Sequence, residues 1–249
     1  GSEKKLDMYA EVALASFWTE NLYSMEPERR NRMLERIHRL LAKVVREDPS
    51  NAVGAAGIGC FLAMNHQYSD ARDVFSSVAA HRYCGSNFKV NLAHVQVEIG
   101  KVSNRRTHGA SKTVDSSSFQ QAAKLYIDAM DKIPTAKSDS ELLLYLARTI
   151  FEAEDYDEAL RLTHKLLHLS PQYLPLWYNF AVVLQECSLA KMESNVKSVK
   201  QIKQGAAELD RAHRLFSRLR SYVPYEGSGP VHAKPTPQST EAHYRFCKE

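Results

Sequence analysis

Apolar residues recur along this chain at intervals of three and four. Ile37, Leu40, Leu41 and Val44 follow that spacing, as do Leu142, Tyr145, Leu146, Thr149 and Ile150. It is the period of one helix face. Alternation of Val and Ile at every second position, which would mark a strand, does not extend far anywhere. The pattern breaks at Asp48-Pro49, Ile133-Pro134, Ser170-Pro171 and Val223-Pro224. Proline removes a helical hydrogen bond and clashes with the preceding turn, so each break predicts a helix end.

Two segments lie on one frame. Ile58-Gly59 corresponds to Leu146-Ala147, Leu62 to Ile150 and Ala71 to Ala159, with the later alanine thirteen residues after Ile58 and Leu146 in both. This is the tetratricopeptide frame of two antiparallel helices in about 34 residues, in which small residues let the paired backbones approach. Extended along the chain, it predicts an all-α, right-handed α-solenoid of about five helix pairs at about 9–50, 51–85, 86–136, 139–173 and 174–224. The third and fifth pairs are stretched. In the third, the surplus Lys101–Ser118 lacks large apolar residues and reads as a flexible loop, 101–118. The first pair is irregular around the Arg-rich stretch Pro27–Arg36. Residues 1–8 read as leader, with Gly1-Ser2 as a scar of expression, and the chain as a piece of something longer. Residues 225–249 read as a loose tail with the start of a further helix from Thr240.

Composition narrows the chemistry. The 249 residues are 44% hydrophobic and 25% charged, ordinary for a folded chain, and 10 Gly and 9 Pro argue against a turn-dense β-sandwich. The net charge of +4 is too even to imply nucleic acid. Cys60, Cys84, Cys187 and Cys247 are far apart, with no C-x-x-C pair, and read as reduced thiols. The apolar run Ala52–Met64 is too short and Gly-broken to span a bilayer. No Walker A run, G-x-G-x-x-G or G-x-S-x-G is present. His164 and His168 share a helix face but lack the Glu of H-E-x-x-H and an evident third ligand. No catalytic residue, metal, cofactor or small-molecule substrate is expected, and no membrane.

Binding surfaces remain. In tetratricopeptide arrays the first helix of each pair lines the concave groove. Here that face carries Val53, Ala56, Cys60 and Met64, then Val90, Asn91, His94 and Glu98, then Leu144, Arg148 and Glu152, then Tyr178, Asn179, Val182 and Glu186. Asn91, His94, Arg148, Tyr178, Asn179 and Val182 are the groove candidates. Asn91 and Asn179 are equivalent and could bond an extended peptide backbone, or bond within the stack. With Arg148 the one clear cation, capture of a free C-terminus is disfavoured. A second surface is a long helix from Asn195 to Tyr222, with Val196, Val199, Ile202, Ala206, Leu209, Ala212, Phe216 and Leu219 stepping by three and four. Val196, Lys197, Val199, Lys200, Ile202 and Lys203 are its candidates. Seven Lys and Arg against Glu208 and Asp210 make it basic, suited to an acidic partner or nucleic acid, although no aromatic residues interleave as single-strand binding requires.

These landmarks carry a resemblance. Asn51–Val78 (NAVGAAGIGCFLAMNHQYSDARDVFSSV), Asn91–Glu98 (NLAHVQVE), Leu142–Leu160 (LLLYLARTIFEAEDYDEAL), Asn179–Gln185 (NFAVVLQ) and Glu208–Leu219 (ELDRAHRLFSRL) resemble the tetratricopeptide scaffold subunit of the RNA polymerase II-associated factor (PAF) complex. Their order follows the family, including the stretched last unit. The resemblance implies a nuclear, non-catalytic scaffold that holds other complex subunits on elongating RNA polymerase II and supports transcription through chromatin and histone modification. A peptide-binding tetratricopeptide adaptor is the alternative, and nucleic-acid binding through helix 195–222 a third. The resemblance transfers no individual binding residue.

Overall fold

The computed structural model describes residues 2–80, 87–107, 116–132, 139–193, 198–221 and 236–248. Among them are eleven α-helices, one 3-10 turn and no strand. The chain divides into two compact units, Gly1–Pro134 and Thr135–Glu249.

The first unit contains three helix pairs. Helix α1 (Ser2–Asn21) passes through a 3-10 turn (Leu22–Ser24) into α2 (Pro27–Glu47); α3 (Ala52–Met64) pairs with α4 (Tyr68–Ala80), and α5 (Asn87–Thr107) with α6 (Ser117–Lys132). The Arg-rich stretch is no break but the start of α2. Pro27 sits in its first turn, where the missing N–H has no helical partner to lose. Residues 2–8, read as leader, are helical within α1. Ala15, Leu22, Leu34, Ile37 and Leu41 bury together with Ile58 and Phe61 against them. The His38 ring stacks on Phe61 at 4.2 Å, tying α2 to α3. Phe75, Ala71 and Val78 of α4 fill the space between α3 and α5 beside Ala56 and Val95.

The expected loop 101–118 is helical at both of its ends. Lys101–Thr107 continue α5, and Ser117 and Ser118 open α6. Lys101 Nζ bonds Glu98 Oε1 at 2.6 Å one turn back. Ser118 and Phe119 are buried, with the Phe119 ring against Gly100. Low apolar content concealed a helix end held by polar bonds. Residues 108–115 lie outside the described residues.

The second unit holds α7 (Ser140–Glu152), α8 (Tyr156–Leu169), α9 (Leu174–Glu193), α10 (Val199–Ser221) and α11 (Pro237–Phe246). The α7–α8 turn repeats the α3–α4 turn. Glu154 (φ 63°) and His66 (φ 61°) are both left-handed. Asp155 N–H donates to Ile150 O at 3.2 Å, and Gln67 N–H to Leu62 O at 2.9 Å. This 6→1 closure caps a helix C-terminus, and the frame drawn from Ile58, Leu62 and Ala71 against Leu146, Ile150 and Ala159 is thereby a geometric repeat. Helix α10 begins at Val199 rather than Asn195. Ser198 caps it, Ser198 Oγ accepting from Gln201 N–H at 3.2 Å while Ser198 N–H donates to Gln201 Oε1 at 2.9 Å. The tail beyond residue 235 is not loose. Thr236 caps α11, which starts at Pro237 rather than Thr240 and packs on α10 with Thr240 buried. Residues 225–235 lie outside the described residues.

Candidate functional site

In the first unit, α5 carries Asn91 and His94. His94 Nδ1 is hydrogen-bonded to Tyr126 Oη of α6 at 2.7 Å, and the rings meet edge to face at 5.5 Å. Burial pushes the His94 pKa down to about 4, partly countered by Glu98. The imidazole is therefore neutral at pH 7 and joined to a tyrosine that is itself buried. His94 fastens α5 to α6 rather than facing a ligand alone. Gln96 Nε2, donating to Gln121 Oε1 at 2.5 Å, and the Lys89–Asp128 ion pair act alongside it. Asn91 is half-buried, one turn away.

In the second unit, Arg148 is exposed on α7. On α9, Tyr178 meets Phe216 of α10 and His243 of α11 edge to face, both at 5.9 Å. The His243 ring stacks on Phe216 at 5.1 Å, and its Nδ1 lies 2.9 Å from Gln185 Oε1 of α9. Burial lowers the His243 pKa. Tyr244 stacks on His213 at 4.7 Å beneath the Arg220 guanidinium, and Arg220 pairs with Glu241 at 3.2 Å. Tyr178 and Val182 thus belong to a core that α11 helps to cover, and Asn179 is half-buried. Gln185, His243 and Tyr244 received no role in the sequence. Only the helix start near Thr240 pointed toward them.

The long-helix surface splits in two. Ala212, Phe216 and Leu219 pack inward, whereas Val199 and Ile202 are 69% and 44% exposed, with Lys200 and Lys203 also in solvent. Val196 and Lys197 lie outside the described residues. Where α9 and α10 meet, Ser188 Oγ donates to Gly205 O at 2.8 Å. Lys191 Nζ bonds both carboxylate oxygens of buried Glu208 at 2.8 and 2.9 Å, with Asp157 of α8 at 3.3 Å. Burial opposes charge on Lys191, but its bond to Glu208 prevails and holds its pKa above the ordinary lysine value.

Reactive chemistry is muted. Burial pushes the Cys187 and Cys247 thiols up to about 11, and raises Cys60 as well, so these groups stay protonated at neutral pH. His164 and His168 meet ring edge to ring face at 4.7 Å. Among the described residues no group of three or more His, Cys, Asp or Glu could hold a metal ion, and no helix is long and apolar enough to cross a membrane.

No family model matches the chain. It is 30% identical over 224 residues to the protein CTR9 homolog of Arabidopsis thaliana, covering 86% of this chain and 19% of that protein. It is 27% identical over 215 residues to the RNA polymerase-associated protein CTR9 of Caenorhabditis elegans, covering 86% and 17%. The chain spans about a fifth of the length of the curated relatives it matches. Among solved structures it is similar to YrrB, a tetratricopeptide protein with an unusual peptide-binding site, with TM-score 0.56, 17% identity and coverage of 86% and 89%. It is similar also to a thermophilic tetratricopeptide protein of Thermus thermophilus, with TM-score 0.54, 12% identity and coverage of 97% and 98%. At these identities the likeness shows the fold, a tetratricopeptide α-solenoid. The curated homologues are CTR9 proteins, matching the resemblance in the sequence.

Proposed function

We propose that this chain is a non-catalytic protein–protein interaction scaffold of a transcription elongation complex, acting with RNA polymerase II on chromatin in the nucleus. The observation that carries this reading is the similarity over 86% of the chain to CTR9 proteins, one of them named as RNA polymerase-associated. Its partners are then other subunits of that complex and, through them or directly, the polymerase. The geometry accords with such a role. The polar groups of α5, α6 and α9–α11 bond helix to helix, leaving helix faces rather than a reaction centre to act on other molecules. The adaptor reading loses support, because His94 and Tyr178 of the expected groove are engaged within their own units.

The test is affinity capture from nuclear extract at moderate salt, with this chain as bait and mass spectrometry as readout. Recovery of polymerase-associated subunits is expected. Chaperones or tail-bearing proteins in their place, released by Asn179→Ala, would instead establish an adaptor. Loss of binding to a short DNA duplex on charge reversal at Lys200 and Lys203, with steep salt dependence, would establish nucleic-acid binding.

A further inference from the structure

The sequence contains two places where a hydroxyl residue precedes proline, Ser170-Pro171 and Thr236-Pro237. Kinases that select proline after the acceptor bury that position with no group to receive an N–H, so proline enters it without the cost that any other residue carries. The two places differ in their settings. Ser170 is half-buried at the end of α8, and its N–H donates to Leu166 O at 2.9 Å. Thr236 is exposed, and its backbone is extended, with φ −79° and ψ 149°. Its Oγ1 accepts from Ser239 N–H at 3.1 Å. Thr236 stands just outside α11, so its hydroxyl is freed by opening that cap.

The helix that Thr236 caps is part of the second unit's core. Through it, His243 stacks on Phe216 and bonds Gln185, Tyr244 stacks on His213, and Glu241 pairs with Arg220. A phosphate at this cap would meet favourable charge. The first turn of α11 carries no acidic side chain. Glu241, one turn further on, is engaged by Arg220 at 3.2 Å and Arg245 at 2.8 Å. The last turn of α10, the helix on which α11 packs, carries Arg218 and Arg220. The opening N–H groups of a helix lack helical acceptors, and its dipole favours negative charge there. Phosphate oxygens can therefore take over the cap from Oγ1 without melting the turn.

We propose that Thr236 is a phosphorylation site for a proline-directed protein kinase, and that the phosphate tightens α11 on α9 and α10. In the transfer, Thr236 Oγ1 bonds the γ-phosphorus of ATP, the bond from that phosphorus to the ADP oxygen breaks, and the hydroxyl proton passes to the kinase's catalytic carboxylate. The products are phosphothreonine and ADP. Once modified, α11 keeps Tyr178 and Gln185 of α9 covered for a larger share of the time, so the modification regulates how open that face is to other molecules. The site is independent of the complex in which the chain acts.

The test treats the intact chain with ATP, magnesium and a proline-directed kinase already shown to modify the free peptide 230–242. Mass spectrometry then maps the phosphate. One phosphate on Thr236 and none on Ser170 is expected. Pro237→Ala keeps the hydroxyl, the cap and a residue suited to a first helical turn, and should slow the transfer at least about tenfold. Hydrogen exchange follows α11 in the modified and unmodified chains. Amides of 239–246 should exchange about threefold more slowly once Thr236 carries phosphate. Sodium chloride at about 0.5 M should shrink that difference, because the added hold is electrostatic. A kinase that modifies the peptide but not Thr236 of the chain overturns the proposal. So does equal modification of the Pro237→Ala chain, a phosphate placed on Ser170 instead, or exchange in α11 that is unchanged or faster after modification.

Discussion

Replacing Gly59 by alanine tests whether close helix approach holds the α3–α4 pair. A Cβ at Gly59 would lie 2.8 Å from Cζ and 3.0 Å from Cε1 and Cε2 of Phe75. Ordinary carbon contacts need about 3.5 to 4.0 Å, so the ring must retreat by the better part of an ångström. Phe75 is only 1% exposed and packed among Ala56, Ala71, Val78 and Val95, so it has little room to do so. Overpacking costs about 1–3 kcal/mol, and a buried ring with little room to move belongs in the upper part of that range, about 2–3 kcal/mol, while alanine's helix propensity returns about 1 kcal/mol. The expected net loss for Gly59→Ala is therefore about 1–2 kcal/mol, a fall in Tm of roughly 3–6 °C for a chain of this size. Phe75→Leu alone also destabilises, by leaving space. Combined with Gly59→Ala it should cost less than the two single losses together, with a coupling of about 1 kcal/mol. Urea denaturation of the four proteins gives the cycle. An unchanged or raised Tm for Gly59→Ala, or strict additivity with Phe75→Leu, would refute the steric argument. Gly57→Ala extends the test to the α2–α3 contact: its Cβ would lie 2.8 and 3.0 Å from the terminal methyls of Leu41, itself buried, so it too should destabilise, by about 1 kcal/mol.

Glu154→Gly removes a side chain from a left-handed position and should stabilise by about 0.5–1 kcal/mol in the same denaturation assay. Glu208→Ala leaves Lys191 charged and buried and should cost about 2–4 kcal/mol, whereas Lys191→Met with Glu208→Leu should cost far less. Because the Lys191 pKa is raised, its contribution is complete below the ordinary lysine range and disappears only as pH climbs through the higher folded value. His94 behaves oppositely. Its folded pKa of about 4 lies below the unfolded value of about 6.5, so the unfolded chain binds the extra proton between them. Stability should fall by about 2 kcal/mol as pH drops from 6.5 to 4, and His94→Gln should flatten that part of the profile.

Periodic apolar residues revealed the helix pairs because burial between neighbours demands them. The shared frame of Ile58 and Leu146 extends to the paired left-handed residues His66 and Glu154. Reading failed where polar bonds replaced apolar spacing. Lys101–Thr107 looked like loop because the Lys101–Glu98 pair that holds the turn carries no hydrophobic signature. Register assigned the groove residues to their helices, but register does not reveal what lies above them. His94 meets Tyr126 thirty-two residues later, and Tyr178 meets His243 sixty-five residues later. Neither distance leaves a local trace. The Arg-rich start of α2 was visible, yet its continuation to Arg46 and its place beside α1 depend on the antiparallel register that Trp18 and Glu11 create.

Stacking also sets which surfaces a helix array leaves to other molecules. A helix pair buries one stripe of each helix against its mate and another against the next pair. Polar side chains facing inward are then drawn into interhelical bonds, as Gln185 is with His243 and Glu208 with Lys191. Thiols in that setting lose nucleophilicity, as Cys187 and Cys247 do. Specific recognition is left to faces that the stacking does not cover. At the start of α10, Val199 and Ile202 stand in solvent beside Lys200 and Lys203. That surface combines apolar contact with positive charge, and a bare polyanion would meet only half of it.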